Sequence, residues 1–392
     1  MSQEQLWLTY GLNTTGPHNT PIPTLANAVA VLEKDKTLSG LVWYDEFLDR
    51  ILTGTPAREW RDVDDLNLTV DFQDRIGIKA ISVSVVADAI QQYAHRRPRH
   101  VIRDWLGTLT WDGEPRLDQA FEDHWGVVCD DTLPCDYVRA ASRNFFIGLI
   151  ARVCRPGCQL DTMVVFEGEQ GAKKTSALRV LGGDWYGLSS ESVTRKDFFE
   201  GLQGKWVVEL GELDAFSRAE VTRVKTVIST PVDRYRPSYG RSARDYPRQC
   251  IFCGTTNHDD WGNDETGLRR FWPIPCGDIQ IGGLRAVREQ LFAEACVRYR
   301  ADESWWEMPS ASAAVQADRQ QRDPWTDRVL TGVAGLSETT MEDICTRVLR
   351  LDTKDVTMIV AKRVGRILAL ANWTKRNRRR QGQQGKLWVA PA

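Results

Sequence analysis

The chain has 392 residues, of which 42% are apolar and 27% are charged, so it is long enough for two or three domains with sizeable cores. Its formal charge of -2 excludes a uniformly basic or acidic protein, although the C-terminal segment is strongly basic. No apolar run reaches membrane-spanning length, and MSQEQLWLTYG lacks the pattern of a signal peptide. These features predict a cytoplasmic protein with no membrane partner.

The N-terminal third alternates amphipathic stretches with turns, which predicts a mainly helical domain over residues 1–125. WYDEFLDRIL and VSVVADAIQQYAHRRPRHVIRDWLGTL belong to the predicted helices, and LWLTYGLN is a candidate strand. A basic cluster is interpreted as a solvated helix end, with nucleic-acid contact as the alternative; it consists of His95, Arg96, Arg97, Arg99 and His100.

The middle of the chain, residues 126–300, is predicted to form an α/β core with a helical lead-in over residues 134–155. Nine cysteines in the whole chain, without a repeating frame, argue against a secreted disulfide scaffold. The pairs Cys154/Cys158 and Cys250/Cys253 lack a second pair at finger-like spacing, so they are interpreted as core cysteines rather than zinc ligands.

The stretch DTMVVFEGEQGAKKTS, residues 161–176, joins an apolar run to a glycine-bearing turn and Lys-Lys-Thr. This is the order of a buried strand, a phosphate-binding loop and a helix whose first amides attract anions. Lys174 is predicted to contact the β- and γ-phosphates of ATP, and Thr175 the magnesium ion. Because Lys173 stands where the motif usually has glycine, a plain glycine turn is the alternative. The predicted cofactor-binding residues are Gly168, Gly171, Lys173, Lys174, Thr175 and Ser176.

A second apolar strand, in KWVVELGELDAF, delivers Glu209, with Glu212 shortly after it. Acidic residues at the end of a strand beside a phosphate-binding loop can hold Mg2+ and polarise the attacking water. Glu209 and Thr175 are therefore the predicted magnesium ligands, and the acidic strand is expected to neighbour the loop strand. A solvated acidic turn is the alternative for this segment.

Two further segments complete the predicted catalytic set. The strand in QCIFCGTTN ends at Asn257, whose amide could orient water near the γ-phosphate. In ETGLRRFWPI, Arg269 and Arg270 precede an aromatic strand, where an arginine could complete the site. A salt-bridged structural arginine is the alternative for either one.

Two arginine-rich segments are candidate DNA contacts. Between the acidic strand and the Asn257 strand, arginines alternate with tyrosines around a Pro-Ser-Tyr-Gly turn, which suits phosphate contacts and base stacking; a rigid surface loop is the alternative. Residues 301–324 are read as a linker helix, and residues 325–392 as a basic winged-helix-like domain, with a solvated tail as the alternative for its end. The predicted DNA-contacting residues are Arg234, Arg236, Tyr239, Arg241, Arg376, Arg378, Arg379 and Arg380.

The combination resembles the virulence-associated protein E family of phage and mobile-element ATPases, which is similar to superfamily 3 and D5-type helicases. The stretches that carry the resemblance are EGEQGAKKTSALRVLGGDW, WVVELGELDAF, VDRYRPSYGR, the GTTN strand end and GLRRFWP. The resemblance implies an AAA+-like P-loop core with ATP and Mg2+. It also implies a homo-oligomeric ring, expected to be hexameric, on single-stranded or forked DNA inside a bacterial host cell.

Residue roles follow from the same resemblance. An arginine of one subunit completes the neighbour's site, which is assigned to Arg269 or Arg270, and a pore-lining role is assigned to Arg236 and Arg241. Many relatives carry an upstream primase domain, for which this chain has no room, so a primase or initiator is expected in trans. The leading hypothesis is an ATP-dependent replicative helicase or translocase. The alternatives are a DNA-binding initiator or regulator without nucleotide-driven activity, and a nucleotide-gated interference factor of a mobile element.

Overall fold

A computed structural model describes residues 2–189, 193, 195–211, 218–238, 242–257, 268–319, 325–352, 355–380 and 383–391. The chain divides into two compact units, Met1–Arg319 and Gln320–Ala392. Within the described ranges, no helix combines the length and the apolar content that crossing a membrane requires.

The first part of the larger unit mixes helices with short strands. Its elements are α1 (Gln3–Tyr10), β1 (Thr14–Thr15), β2 (Thr20–Pro21), α2 (Leu25–Lys34), β3 (Val42–Asp45), β4 (Arg50–Thr53), β5 (Arg58–Glu59), α3 (Asp62–Asp71), a π-helical turn (Phe72–Ile76), α4 (Val83–His95), β6 (Pro98–Arg99) and α5 (Val101–Thr108). Strands β1 and β2 pair with each other, and the remaining four form a sheet in the order β5-β4-β3-β6. Helices form most of the regular structure of this region, as predicted, and the four-stranded sheet is an addition that the sequence analysis did not predict.

Local hydrogen bonds explain where the N-terminal predictions failed. WYDEFLDRIL forms β3, a turn and β4, because the Asp45 carboxylate accepts hydrogen bonds from the amides of Phe47 (3.0 Å) and Leu48 (2.8 Å). LWLTYGLN is largely helical rather than a strand, because Ser2 and Gln5 form a reciprocal capping box at the start of α1. The long predicted helix is interrupted by β6, which separates α4 from α5.

The rest of the larger unit is organised around a parallel sheet. Its elements are α6 (Ala120–Trp125), α7 (Cys135–Cys154), β7 (Met163–Glu167), α8 (Lys174–Gly182), β8 (Tyr186–Ser189), α9 (Lys196–Gly201), β9 (Val207–Leu210), α10 (Arg218–Ser229), β10 (Val232–Tyr235), β11 (Arg244–Pro247), β12 (Ile251–Thr256), β13 (Phe271–Pro275), α11 (Ile281–Arg300) and α12 (Ser312–Asp318). Five strands are parallel in the order β13-β7-β12-β9-β8, and β10 and β11 form a separate hairpin.

The position of β12 corrects one expectation. Because β12 pairs with both β7 and β9, the acidic strand β9 is not the direct neighbour of the glycine-loop strand β7. The spacing along the chain was compatible with adjacent strands, but a strand that arrives later in the sequence is inserted between them.

Alternating side chains along the strands build a separate apolar core on each face of the parallel sheet. On one face, Val164 and Phe166 of β7 belong to the core that includes buried residues of α7 and α11. On the other face, Met163 and Val165 belong to the core with residues of α9 and α10. Burial on both faces explains why β7 reads as a continuous apolar run.

The smaller unit combines short helices with an antiparallel sheet. Its elements are α13 (Thr326–Val333), β14 (Glu338–Thr340), α14 (Met341–Asp343), a π-helical turn (Ile344–Val348), α15 (Met358–Leu370), β15 (Thr374–Arg380) and β16 (Gln383–Val389). The strand order is β14-β16-β15, and both pairings are antiparallel. Ile344, Val364 and Leu368 are fully or almost fully buried in the core of this unit.

Candidate functional site

The carboxyl ends of β7, β9 and β12 meet at one edge of the parallel sheet, where a cleft of about 440 Å³ opens. Ligands of open parallel sheets bind at this edge. The cleft is lined by Gln170, Gly171, Ala172, Lys173, Lys174, Thr175, Ser176, Leu188, Glu209, Gly211, Thr255, Thr256 and Asn257. Seven of the predicted site residues, from three separate stretches of the sequence, therefore line this cleft: Gly171, Lys173, Lys174, Thr175, Ser176, Glu209 and Asn257.

The loop between β7 and α8 has the backbone of a tight turn. Gly168 adopts a φ of 146°, and a Cβ there would lie 3.0 Å from the carbonyl oxygen of Cys276, so glycine is needed for close approach. Gly171 has a φ of 87°. Lys173 also has a left-handed backbone, with a φ of 65°, which explains why glycine is the usual residue at this position of the motif.

The two lysines of the loop differ in exposure and in partners. Lys174 is buried, and its Nζ donates to the carbonyl oxygens of Gly168 (2.5 Å) and Glu169 (3.0 Å) and to Oδ1 of Asn257 (3.3 Å). Lys173 is exposed and lies 3.6 Å from the carboxylate of Asp278. Lys174 is therefore the lysine whose ammonium group is buried among the polar groups of the cleft.

Glu209 is the buried acidic group of the site, with 1% of its surface exposed. Its Oε1 accepts hydrogen bonds from the hydroxyls of Thr175 (2.7 Å) and Thr255 (2.8 Å), and its Oε2 accepts one from Tyr186 (2.6 Å). Among the described residues, its hydrogen-bond partners are these neutral hydroxyls. Carboxylate oxygens oriented in this way are ligands of the kind that Mg2+ prefers.

Tyr186 is a member of the site that the sequence did not reveal. It begins β8, which follows α8 through a 3₁₀ turn at Gly183–Trp185 and pairs with β9. Burial, followed by the hydrogen bond to Glu209, raises the pKa of the Tyr186 phenol above its ordinary value, so the hydroxyl stays protonated and donates. The signal in the sequence is weak, because DWYGLS resembles a loop.

Several predicted site residues lie elsewhere. Arg269 and Arg270 form a 3₁₀ turn at the amino end of β13, and Phe271 pairs with Met163 at the start of β7. Because these strands are parallel, the two arginines lie at the opposite edge of the sheet from the cleft of the same chain. Glu212 lies outside the described residues.

Only some of the predicted DNA-contacting residues of the β10–β11 hairpin lie within the described residues. Arg234 and Arg236 are exposed, and Arg234 pairs with Asp245 at 3.3 Å, whereas Tyr239 and Arg241 lie outside the described residues. The idea that Tyr235 and Tyr246 stack on bases is not supported, because their rings stack on each other with centroids 4.5 Å apart and Tyr235 is buried.

The basic C-terminal arginines lie along one strand. Arg376 is exposed, and Arg378, Arg379 and Arg380 follow it on β15. The N-terminal basic cluster is instead largely engaged within the protein. For example, Arg96 pairs with Glu33 at 3.0 Å, and His100 lies 2.7 Å from the side-chain oxygen of Gln249.

The two cysteine pairs that were considered as zinc ligands differ in burial. Cys250 and Cys253 are buried in the core, as predicted, whereas Cys154 is exposed. A separate cluster, formed by Glu122, Cys129 and Cys135, escaped the sequence analysis, because one of its members comes from a helix that precedes the cysteines.

The fold and the cleft define an α/β protein with polar groups converging at the carboxyl edge of a parallel sheet. A family model described as the virulence-associated protein E-like domain matches residues 106–324, more than half of the chain. The chain therefore belongs to this family, as the resemblance suggested.

Solved structures of the C-terminal region of NrS-1 share the fold. Two of them, an apo structure and an A-form apo structure, each match with a TM-score of 0.52 and 14% sequence identity. Each match covers 89% of this chain and 96% of the other. Comparison with curated protein sequences gave no significant match.

Proposed function

We propose that the chain is an ATP-dependent DNA helicase or translocase that serves replication of a phage or mobile genetic element. The observation that carries the proposal is the convergence of Lys174, Thr175 and Glu209 on one cleft at the carboxyl edge of the parallel sheet. Membership of the virulence-associated protein E-like family supports the same conclusion. In this proposal β7, the glycine loop and α8 are a P-loop within an AAA+-like core.

The donors around the cleft suit Mg2+ and a nucleotide triphosphate. The Glu209 carboxylate and the Thr175 hydroxyl are oxygen ligands of the kind that Mg2+ prefers, and they already lie 2.7 Å apart. Helix α8 begins at Lys174, so the positive end of its dipole faces the cleft. When bound, Mg2+ neutralises charge on the β- and γ-phosphates.

The chain's own groups then have distinct roles. Lys174 would exchange the carbonyl oxygens of Gly168 and Glu169 for phosphate oxygens, and Thr175 and Glu209 would hold the metal ion. Asn257, whose side-chain oxygen lies 3.3 Å from the Lys174 ammonium, is positioned to orient the attacking water. Glu212 is assigned to polarising that water, on the sequence alone.

Replacing Lys174 tests this proposal. We expect Lys174→Ala to lower kcat/KM for ATP hydrolysis at least about a hundredfold, because a preorganised charge on the transferred phosphoryl group is lost. Lys79→Ala is the matched control: it removes an exposed lysine outside the cleft whose ion pair with Asp74 is worth at most about 1 kcal/mol, so hydrolysis should stay unchanged. DNA-stimulated hydrolysis that survives Lys174→Ala would exclude the proposed mechanism.

We further propose that the chain acts as a homo-oligomeric ring, expected to be a hexamer, in which Arg269 or Arg270 completes the site of a neighbour. Their position at the amino edge of the sheet, away from the cleft of the same chain, suits a role in trans. The β10–β11 hairpin and a winged helix over residues 325–392 would contact DNA through exposed arginines such as Arg236 and Arg376.

The mass of the assembly, measured by light scattering with and without ATP and single-stranded DNA, tests the ring. We expect a discrete oligomer in the presence of both. A monomer under every condition would exclude the role of Arg269 or Arg270 in trans. An assembly whose mass does not increase when single-stranded DNA is added would exclude the DNA contacts.

A DNA-binding initiator or regulator without nucleotide-driven activity is the second candidate. One observation favours it: the Lys174 ammonium is held by three oxygen atoms of the loop and of Asn257, so the loop is internally satisfied without nucleotide. DNA binding of equal strength with and without ATP, together with no hydrolysis, would select this candidate over the first.

A further inference from the structure

A cluster of three metal-binding side chains lies outside the cleft. Glu122 on α6, Cys129 in the following loop and Cys135 at the start of α7 each offer one ligand atom, and these three atoms lie within 4.8 Å of one another. We propose that Glu122, Cys129 and Cys135 bind one zinc ion.

The identity and spacing of the ligand atoms favour a thiophilic divalent cation. Two cysteine sulfurs and a carboxylate oxygen form a donor set that zinc accepts, and water can take the fourth position of the tetrahedron. Atoms bound at about 2.0–2.3 Å from zinc lie about 3.3–3.8 Å apart in a tetrahedron, so small side-chain rotations close the site.

The charge of the surroundings fits the same cation. Arg139, one turn after Cys135 on α7, donates to Oε1 of Glu122 at 3.0 Å and leaves the second carboxylate oxygen for the metal. Two thiolates and one carboxylate are together balanced by a divalent ion and this guanidinium. Cys135 is also the first residue of a 20-residue helix, whose positive N-terminal end favours negative charge nearby.

The loop that carries Cys129 is held in shape before any metal binds. The Asp130 carboxylate accepts hydrogen bonds from the amide (2.7 Å) and hydroxyl (2.7 Å) of Thr132 and from the amide of Leu133 (2.8 Å). Val127 and Leu133 are buried on either side of the turn. The two cysteines are thus brought together by a closed turn with apolar anchors, which lowers the ordering cost of metal binding.

The proposed zinc ion would clamp a segment on which the cleft is built. The carbonyl oxygens of His124 and Trp125 accept hydrogen bonds from Gln280 and Gly277, both at 2.9 Å, in the segment after β13. The Trp125 ring stacks on Phe166 of β7, with ring centroids 5.6 Å apart. The inferred role is structural and does not depend on ATP hydrolysis.

The experiment uses the full chain, reduced and treated with a chelator, then titrated with Zn2+ or with Co2+ as a spectroscopic probe. We expect one ion per chain, thiolate-to-cobalt charge-transfer absorption, and a higher unfolding temperature with zinc. Cys129→Ser and Cys135→Ser should each lower zinc affinity at least about a hundredfold, since even outer-shell changes cost about 10–100-fold. Glu122→Gln preserves both thiols and the shape of the side chain, and should lower affinity about tenfold or more.

Cys154→Ser is the matched control, because it removes an exposed cysteine outside the cluster and should bind zinc like the unchanged chain. Three outcomes would overturn the proposal. The first is that the reduced chain does not bind zinc stoichiometrically. The second is that the folded Glu122→Gln and Cys129→Ser variants bind zinc as tightly as the unchanged chain. The third is that Cys129 and Cys135 form a disulfide and the reduced form does not bind zinc.

Discussion

Two buried carboxylates in the larger unit are satisfied in opposite ways. Asp233, at the base of the β10–β11 hairpin, forms a two-pronged ion pair with the buried Arg248, whose Nε lies 3.0 Å from Oδ2. Glu209, at the carboxyl edge of the parallel sheet, has hydroxyl partners from Thr175, Thr255 and Tyr186. The first charge is neutralised within the fold, and the second is oriented but not neutralised by these hydroxyls.

The difference separates a structural carboxylate from a candidate ligand-binding one. In a buried ion pair the two charges neutralise each other, so the pair does not attract a charged ligand. A buried carboxylate whose donors are neutral can still bind a cation. The number of charged residues in a segment is therefore a poor guide to its role. Among the arginines of the hairpin segment, Arg248 supports the fold and Arg234 pairs with Asp245.

Breaking the ion pair at the hairpin base should have the largest effect on stability. We expect Asp233→Asn to lower the free energy of unfolding by about 3–5 kcal/mol, because it leaves the Arg248 guanidinium buried without a counter-charge. Urea-induced unfolding measures the change. Asp245→Asn is the matched control: it breaks an exposed pair worth about 0–1 kcal/mol. Equal effects of the two substitutions would contradict the distinction between buried and exposed pairs.

Removing one hydroxyl donor from Glu209 should have a smaller effect that appears at the site. Tyr186→Phe deletes a hydrogen bond to a charged group, worth about 1.5–3 kcal/mol, and loosens the carboxylate. We expect kcat for ATP hydrolysis to fall on the order of tenfold while the KM for ATP changes less. Tyr44→Phe removes a hydroxyl bound to Asp49 outside the cleft and should leave hydrolysis unchanged. An unchanged kcat in Tyr186→Phe would show that this hydroxyl does not position Glu209.

Local patterns were sufficient for the elements that carry the cleft. The apolar run Met163–Glu167 forms β7, the helical lead-in is α7 (Cys135–Cys154), and the strands that end at Leu210 and Thr256 were both expected. The three strands have a strong sequence signal, because burial on both faces of the sheet requires a continuous apolar run. The left-handed φ of Lys173 gives a physical reason why the motif usually has glycine at this position.

Interactions between distant residues account for what the sequence did not reveal. WYDEFLDRIL has helical periodicity, but the turn at Asp45 and the pairing of β3 with β4 make it a strand hairpin instead. The insertion of β12 between β7 and β9 depends on the topology of the whole sheet. The spacing between two motifs along the chain contains no information about that topology. Tyr186 reaches Glu209 only because β8 pairs with β9, so local composition does not mark it.

The most direct test of the account is the magnesium dependence of ATP binding by the unchanged chain and by Glu209→Gln, measured by calorimetry. The substitution keeps the shape of the side chain and removes its charge. We predict that Mg2+ tightens ATP binding to the unchanged chain, and that Glu209→Gln loses at least about tenfold of this gain, or about 1.4 kcal/mol. The same magnesium dependence in both proteins would contradict the claim that the buried Glu209 carboxylate holds the metal ion.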